Sequence, residues 1–153
     1  MLYYFDSSAV VKRYAPERGS EQVNAIVEST ENTVYLNQIG VVEVAAAFAR
    51  KARTQELTIE DYEAALWLFL ADVADHEFEV VPLNDRTVEL AVELTRQHPL
   101  RGYDAVHLAT AAAMKTAQQE TELPPSLVFV SADQTLCKAA QDEGLYTINP
   151  NEF

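Results

Sequence analysis

The chain has 153 residues, 48% of them hydrophobic, and its 11 Lys and Arg against 24 Asp and Glu give a net charge of −13. That length suits a single domain spanning 1–153, able to bury about two-thirds of its unfolded surface without staples. The single cysteine, Cys137, excludes an intramolecular disulfide and a thiolate metal cage. No apolar run reaches the roughly 18 residues of a spanning helix, and the acidic balance argues against non-specific nucleic-acid binding.

Leu2–Phe5 reads as a short aromatic-rich strand that stops at Asp6, and the residues before it carry no basic region of a signal peptide, so a soluble, cytoplasmic chain with no membrane partner is expected. A helix over Ser8–Tyr14 is closed by Ala15-Pro16, and a second runs from Gly19 to Glu28. Thr33–Leu36 is the next strand, and the alanine-rich spacing from Ile39 to Arg53 predicts a helix. Thr58-Ile-Glu-Asp has a threonine cap with an acid three residues on, opening a helix to about Ala74. A strand over Glu77–Leu83 precedes a helix over Asp85–Gln97, stopped by Pro99, and a helix over Tyr103–Gln118. Thr116–Pro125 is the best loop candidate, with Pro124-Pro125 ending the helix before it. Leu127–Val130 is a strand, Ser131-Ala-Asp-Gln has the spacing of a capping box, and Leu145–Ile148 is a last strand. This alternation predicts a three-layer α/β domain with a parallel sheet; pattern alone leaves the strand order open.

Four acids stand just past strands or near helix starts: Asp6, Glu43, Asp104 and Asp133. Each has a structural explanation as an N-cap or a first-turn charge stabilised by the helix dipole. The neighbours of Glu43 and Asp104 at helical spacing are small or apolar, however, so these carboxylates point toward packed structure. In an open parallel sheet, strand carboxyl ends and helix amino ends share the edge where ligands bind. Acids gathered there repel, by about 4 kcal/mol for two charges 4 Å apart at an effective dielectric of 20, and need cations or raised pKa values. Magnesium, a hard cation that takes carboxylates and phosphate, fits such a site and points to phosphodiester hydrolysis.

These segments resemble the PIN-domain nucleases, in particular the VapC-type toxins of bacterial toxin–antitoxin pairs. The likeness rests on Tyr4-Phe-Asp-Ser-Ser-Ala, on the lone Glu43, on Tyr103-Asp-Ala-Val-His-Leu-Ala-Thr-Ala and on Val130-Ser-Ala-Asp-Gln-Thr-Leu, and spans essentially the whole chain. It implies a PIN-like sheet of about five parallel strands between helices. It also implies that Asp6, Glu43, Asp104 and Asp133 are catalytic and hold one or two Mg²⁺ or Mn²⁺ ions, with Ser7 and Ser131 in support. The implied activity is an endoribonuclease acting on an RNA substrate and neutralised by a cognate antitoxin, the toxin itself a homodimer.

A local basic patch is available to that RNA in Arg50, Lys51 and Arg53, with Lys12, Arg13 and Arg18 early in the chain. His107, three residues past Asp104, is read as a packed histidine with one satisfied nitrogen, and Cys137 as a small core residue. Ile59, Tyr62, Leu66, Phe69 and Val73 form one stripe of a helix that Trp67, Leu68 and Leu70 make apolar almost all round. Core packing explains the stripe; the excess at Trp67 marks an interface. Two other functions compete with the nuclease. One is a non-catalytic PIN-like module that binds a partner. The other is an aspartyl-phosphate protein with Asp6 as nucleophile, disfavoured because Ser8 stands where a second aspartate belongs.

Overall fold

The computed structural model describes residues 1–120 and 127–153. Among them, five strands build one sheet: β1 (Leu2–Phe5), β2 (Thr33–Asn37), β3 (Glu79–Val81), β4 (Leu127–Val130) and β5 (Tyr146–Ile148). Their order is β3-β2-β1-β4-β5, with every neighbouring pair parallel. The helices are α1 (Ser7–Tyr14), α2 (Ser20–Val27), α3 (Gln38–Arg53), α4 (Ile59–Ala74), α5 (Asp85–Gln97), α6 (Gly102–Glu120) and α7 (Gln134–Asp142).

A parallel sheet covered on both faces sends alternate side chains into two cores. Tyr3, Phe5, Val34, Leu36, Val128 and Val130 pack with α1 to α4 on one face. Tyr4, Leu127 and Phe129 pack with α5, α6 and α7 on the other. The three-layer α/β/α architecture expected from the alternation of elements is the one found. The chain runs from β1 to β2 on one side while β4 takes the other, so the order reverses between β1 and β4. Crevices for ligands open at the carboxyl ends of strands at such a reversal.

Several local expectations shift. The strand expected over Glu77–Leu83 shortens to Glu79–Val81, because it lies at the sheet edge, paired only with β2, and Pro82 cannot donate to a ladder. Glu43 sits in the second turn of α3 rather than the first, since the helix starts earlier, capped by the Asn37 side chain on the Ile39 N–H. The cap of α7 is Asp133, not Ser131: the Asp133 carboxylate accepts from the Leu136 N–H at 2.9 Å. Helix α6 continues through Thr116 to Glu120, and the Pro124-Pro125 break lies outside the described residues. Thr58 caps α4 as its spacing predicts. Tyr62, Leu66, Phe69 and Val73 of the α4 stripe pack inward, whereas Ile59, in the first turn beyond the core, is exposed, as are Trp67, Leu68 and Leu70. Cys137 is buried, as read, its thiol pushed up to about 12 chiefly by burial.

Candidate active-site cleft

An open cleft of about 1090 Å³ lies at the carboxyl edge of the sheet. Asp6, Glu43, Asp104 and Asp133 all line it, brought from the end of β1, the second turn of α3, the first turn of α6 and the start of α7.

Asp6 is the most deeply held. Its backbone N–H donates to the Val130 carbonyl, continuing the β1–β4 pairing, and its carboxylate caps α1 through the Ala9 N–H at 3.0 Å. The Ser8 hydroxyl donates to the same carboxylate, 2.7 and 2.9 Å from its two oxygens, and the Ser131 hydroxyl donates to Oδ2 at 2.7 Å. Burial pushes the Asp6 carboxyl above its usual range; His107, the two hydroxyls and the Ala9 N–H pull it down without cancelling that effect. Ser131 also accepts from the Asp133 N–H at 3.0 Å, so one buried hydroxyl joins two of the acids.

Glu43 Oε1 lies 2.6 Å from Nε2 of the buried His107. Asp104 Oδ2 accepts from Arg101 Nε at 3.0 Å, and the same guanidinium reaches within 3.9 Å of Asp133 Oδ2. Arg101 thus stands as a cation between two of the four acids.

Basic residues line the same cleft. Lys12, nearly fully buried one turn and a half past Asp6, donates to Glu17 at 2.9 Å and to the Arg18 carbonyl at 2.8 Å. Lys51 pairs with Glu17 and Glu56, each at 3.2 Å. Burial opposes ionisation of Glu17, but hydrogen bonds from Lys12 and Lys51 prevail and hold its carboxyl below the usual range. Arg18, Arg50 and Arg53 are exposed, line the same cleft and make no ion pair among the described residues. Asn151 adds a buried side-chain oxygen that has no donor among the described residues.

Charge is therefore distributed unevenly. Among the described residues, six of the chain's eleven Lys and Arg line the cleft, against five of its twenty-four Asp and Glu. The cleft is thus close to balanced in charge on a body that is otherwise strongly acidic.

The donors facing the cleft are carboxylate and hydroxyl oxygens, the chemistry of a hard divalent cation. As they stand, no three acids, histidines or cysteines among the described residues close into a metal-holding group. A cation entering between Asp104 and Asp133 would take the place of the Arg101 guanidinium. The donor set suits a hard divalent cation in kind, and the Arg101 guanidinium lies beside two of its carboxylates.

The residues singled out in the sequence are distributed as follows. Asp6, Ser7, Glu43, Arg50, Lys51, Arg53, Asp104 and Asp133 line the cleft, and Ser131 is buried behind it. The hydroxyls that reach Asp6 are those of Ser8 and Ser131; Ser7 lines the cleft without a bond to that carboxylate. Lys12 and Arg18 of the basic patch also line the cleft, Arg13 does not, and sequence reading missed Ser8, Arg101 and Asn151. Arg101, three residues before Asp104 across a helix start, carried a legible signal as a helical-spacing ion pair. The others depend on contacts between distant elements. His107 has both ring nitrogens engaged, not one.

The PIN domain family matches residues 3–141, the span that carries all four acids. Ribonuclease VapC45 of Mycobacterium tuberculosis (strain CDC 1551 / Oshkosh) and ribonuclease VapC49 of Mycobacterium tuberculosis (strain ATCC 25618 / H37Rv) are each 38% identical over 150 residues, covering 94% of this chain and 92% of theirs. Among solved structures, PAE2754 from Pyrobaculum aerophilum superposes with a TM-score of 0.64 at 16% identity, over 96% of this chain and 83% of that one. VapBC2 from Rickettsia felis, bound to a DNA fragment from their promoter, gives 0.62 at 14% identity, over 97% and 98%. At such identities the structural likeness is one of fold. The parallel sheet with acids at its reversal point is that of a PIN domain, and this chain belongs to the PIN-domain family. Within that family its curated relatives are VapC-type ribonucleases.

Proposed function

We propose that this protein is an endoribonuclease of the VapC type, hydrolysing RNA phosphodiester bonds in the cleft and neutralised by a cognate antitoxin. The observation that carries the reading is the cleft itself, which four acids from four elements share with lysines and arginines on a chain otherwise strongly acidic. The substrate class follows from that pairing: phosphates go to the cations, and the acids face the bond to be cut.

Asp6, Glu43, Asp104 and Asp133 would hold Mg²⁺ or Mn²⁺, one ion or two. When bound, such an ion lowers the pKa of water and neutralises a phosphoryl oxygen. The chain's own residues prepare the site. Ser8 and Ser131 fix Asp6, Ser131 ties it to the Asp133 backbone, and Lys12 is buried beside them as a fixed positive charge. Arg18, Arg50, Lys51 and Arg53 lie along the wall where an RNA backbone would run. The antitoxin reading draws on the relatives' family and on the exposed apolar residues Trp67, Leu68 and Leu70 of α4, which also suit a homodimer contact.

The test is Mn²⁺ or Mg²⁺ titration by calorimetry into the wild type and Asp104→Asn, with cleavage of total RNA by both. Metal binding and discrete RNA fragments, each lost in the variant, are expected. A wild type that binds neither ion and leaves RNA intact refutes the nuclease.

A further inference from the structure

A line of hydrogen bonds runs from the centre of the sheet to the cleft wall. Tyr4, fully buried on β1, has its hydroxyl 2.8 Å from His107 Nδ1. His107 is 1% exposed, and its Nε2 lies 2.6 Å from Glu43 Oε1. A carboxylate can only accept, so Nε2 carries the ring hydrogen toward Glu43, and Nδ1 accepts from the Tyr4 phenol.

Sterics hold the same ring. Tyr4 and His107 meet edge to face, with centroids 5.9 Å apart and planes at 66°. On α3, one turn before Glu43, stands Gly40, buried against the imidazole. A Cβ there would come within 3.1 Å of His107 Cε1 and 2.4 Å of Leu36 Cδ1. The glycine leaves room first for Leu36 and also for the imidazole, which a Cβ would crowd. A histidine serving the core alone needs neither the glycine opposite nor a carboxylate on the cleft wall.

We propose that His107 is a positioning residue: held by Tyr4 and admitted by Gly40, it ties down Glu43 Oε1 and turns Oε2 toward the cleft. This rests on the nuclease reading, since the orientation of Glu43 bears on rate only in a catalytic cleft. Hydrogen-bond partners of metal-binding side chains are worth about 10- to 100-fold in affinity or activity.

The test combines kinetics with a direct view of the ring. RNA cleavage is measured for the wild type, His107→Leu, His107→Gln and Tyr4→Phe at a temperature where circular dichroism shows all four folded. His107→Leu is expected to lower kcat by about 10- to 100-fold with KM for RNA little changed. His107→Gln, whose amide N–H can stand in for Nε2–H, is expected to recover much of that loss, with Tyr4→Phe in between. Imidazole ¹⁵N NMR, assigned through His107→Gln, is expected to show the Nε2–H form in the wild type and a mixture in Tyr4→Phe. Mn²⁺ affinity by calorimetry is expected to fall in His107→Leu. An Nδ1–H ring in the wild type, or Leu and Gln variants of equal activity, overturns the proposal. If the wild type cuts no RNA, the nuclease reading fails and the rate role falls with it. A cleaving wild type with an unimpaired His107→Leu sinks the positioning role alone.

Discussion

Removing the Ser131 hydroxyl separates two acids that the fold joins through a single atom. In Ser131→Ala, Asp6 loses a 2.7 Å hydrogen bond to its carboxylate, and the Asp133 N–H loses its 3.0 Å acceptor. A hydrogen bond to a charged group contributes about 1.5–3 kcal/mol, and a buried donor left without a partner costs about 1–3 kcal/mol. Ser131 is fully buried, but Asp133 borders the cleft, so water can reach its N–H and the second cost falls at the low end. A total loss of about 2–4 kcal/mol follows, or roughly 5–15 °C in Tm for a domain of this size. Urea unfolding followed by far-UV circular dichroism measures it, with Ser7→Ala as a cleft-lining control expected within about 0.5 kcal/mol of wild type. A Ser131→Ala variant losing under about 1 kcal/mol would refute the idea that this hydroxyl carries both contacts.

Further predictions test packing, substrate and charge. Phe69→Ala empties a fully buried site ringed by Tyr14, Phe48 and Phe78, and is expected to cost about 3–5 kcal/mol in urea unfolding. Arg18→Gln removes an unpaired guanidinium from the cleft wall; RNA affinity is expected to fall similarly across sequences, with the slope of log affinity against log salt reduced by about 0.7 in filter binding. Glu17 has a native carboxyl pKa below its unfolded value, so its stabilisation is present above the unfolded pKa of about 4.3 and disappears as pH falls through the native one. The wild type is therefore expected to exceed Glu17→Gln in stability at pH 7 and to converge with it below about pH 4 in acid titration. Trp67→Ala is expected to stay folded while losing dimer formation or antitoxin capture, and unchanged light scattering together with an unchanged pull-down would remove α4 as the contact surface.

Much of this protein is determined locally. The alternation of apolar runs with helical periods specifies a parallel sheet between helices, because each element can bury its apolar face in few ways. Asp6 and Thr58 reveal helix starts, because a cap acts on N–H groups two or three residues away in the same stretch of chain. Asp6, Asp104 and Asp133 were legible for the same reason, each standing at or beside a helix start, whereas Glu43 lies a turn inside α3. What they touch was not. Ser131 meets Asp6 across 125 residues, Tyr4 meets His107 across 103, and His107 meets Glu43 across 64. Placing β4 beside β1 brings the first of these together, and the meeting of α6 with β1 and with the start of α3 brings the others. The choice of Ser8 over Ser7 also belongs to the tertiary structure, since both follow Asp6 and only the helix entry angle decides which hydroxyl turns back. The basic residues of α1, its following loop and α3 could be named as a patch in the sequence, but that they share one cleft with the four acids belongs to the tertiary structure, because a net charge of −13 carries no positions. Sequence determined which elements form and where their acids stand; hydrogen bonds between elements far apart in the chain decided which side chains those acids meet, because such bonds exist only once the layers have closed.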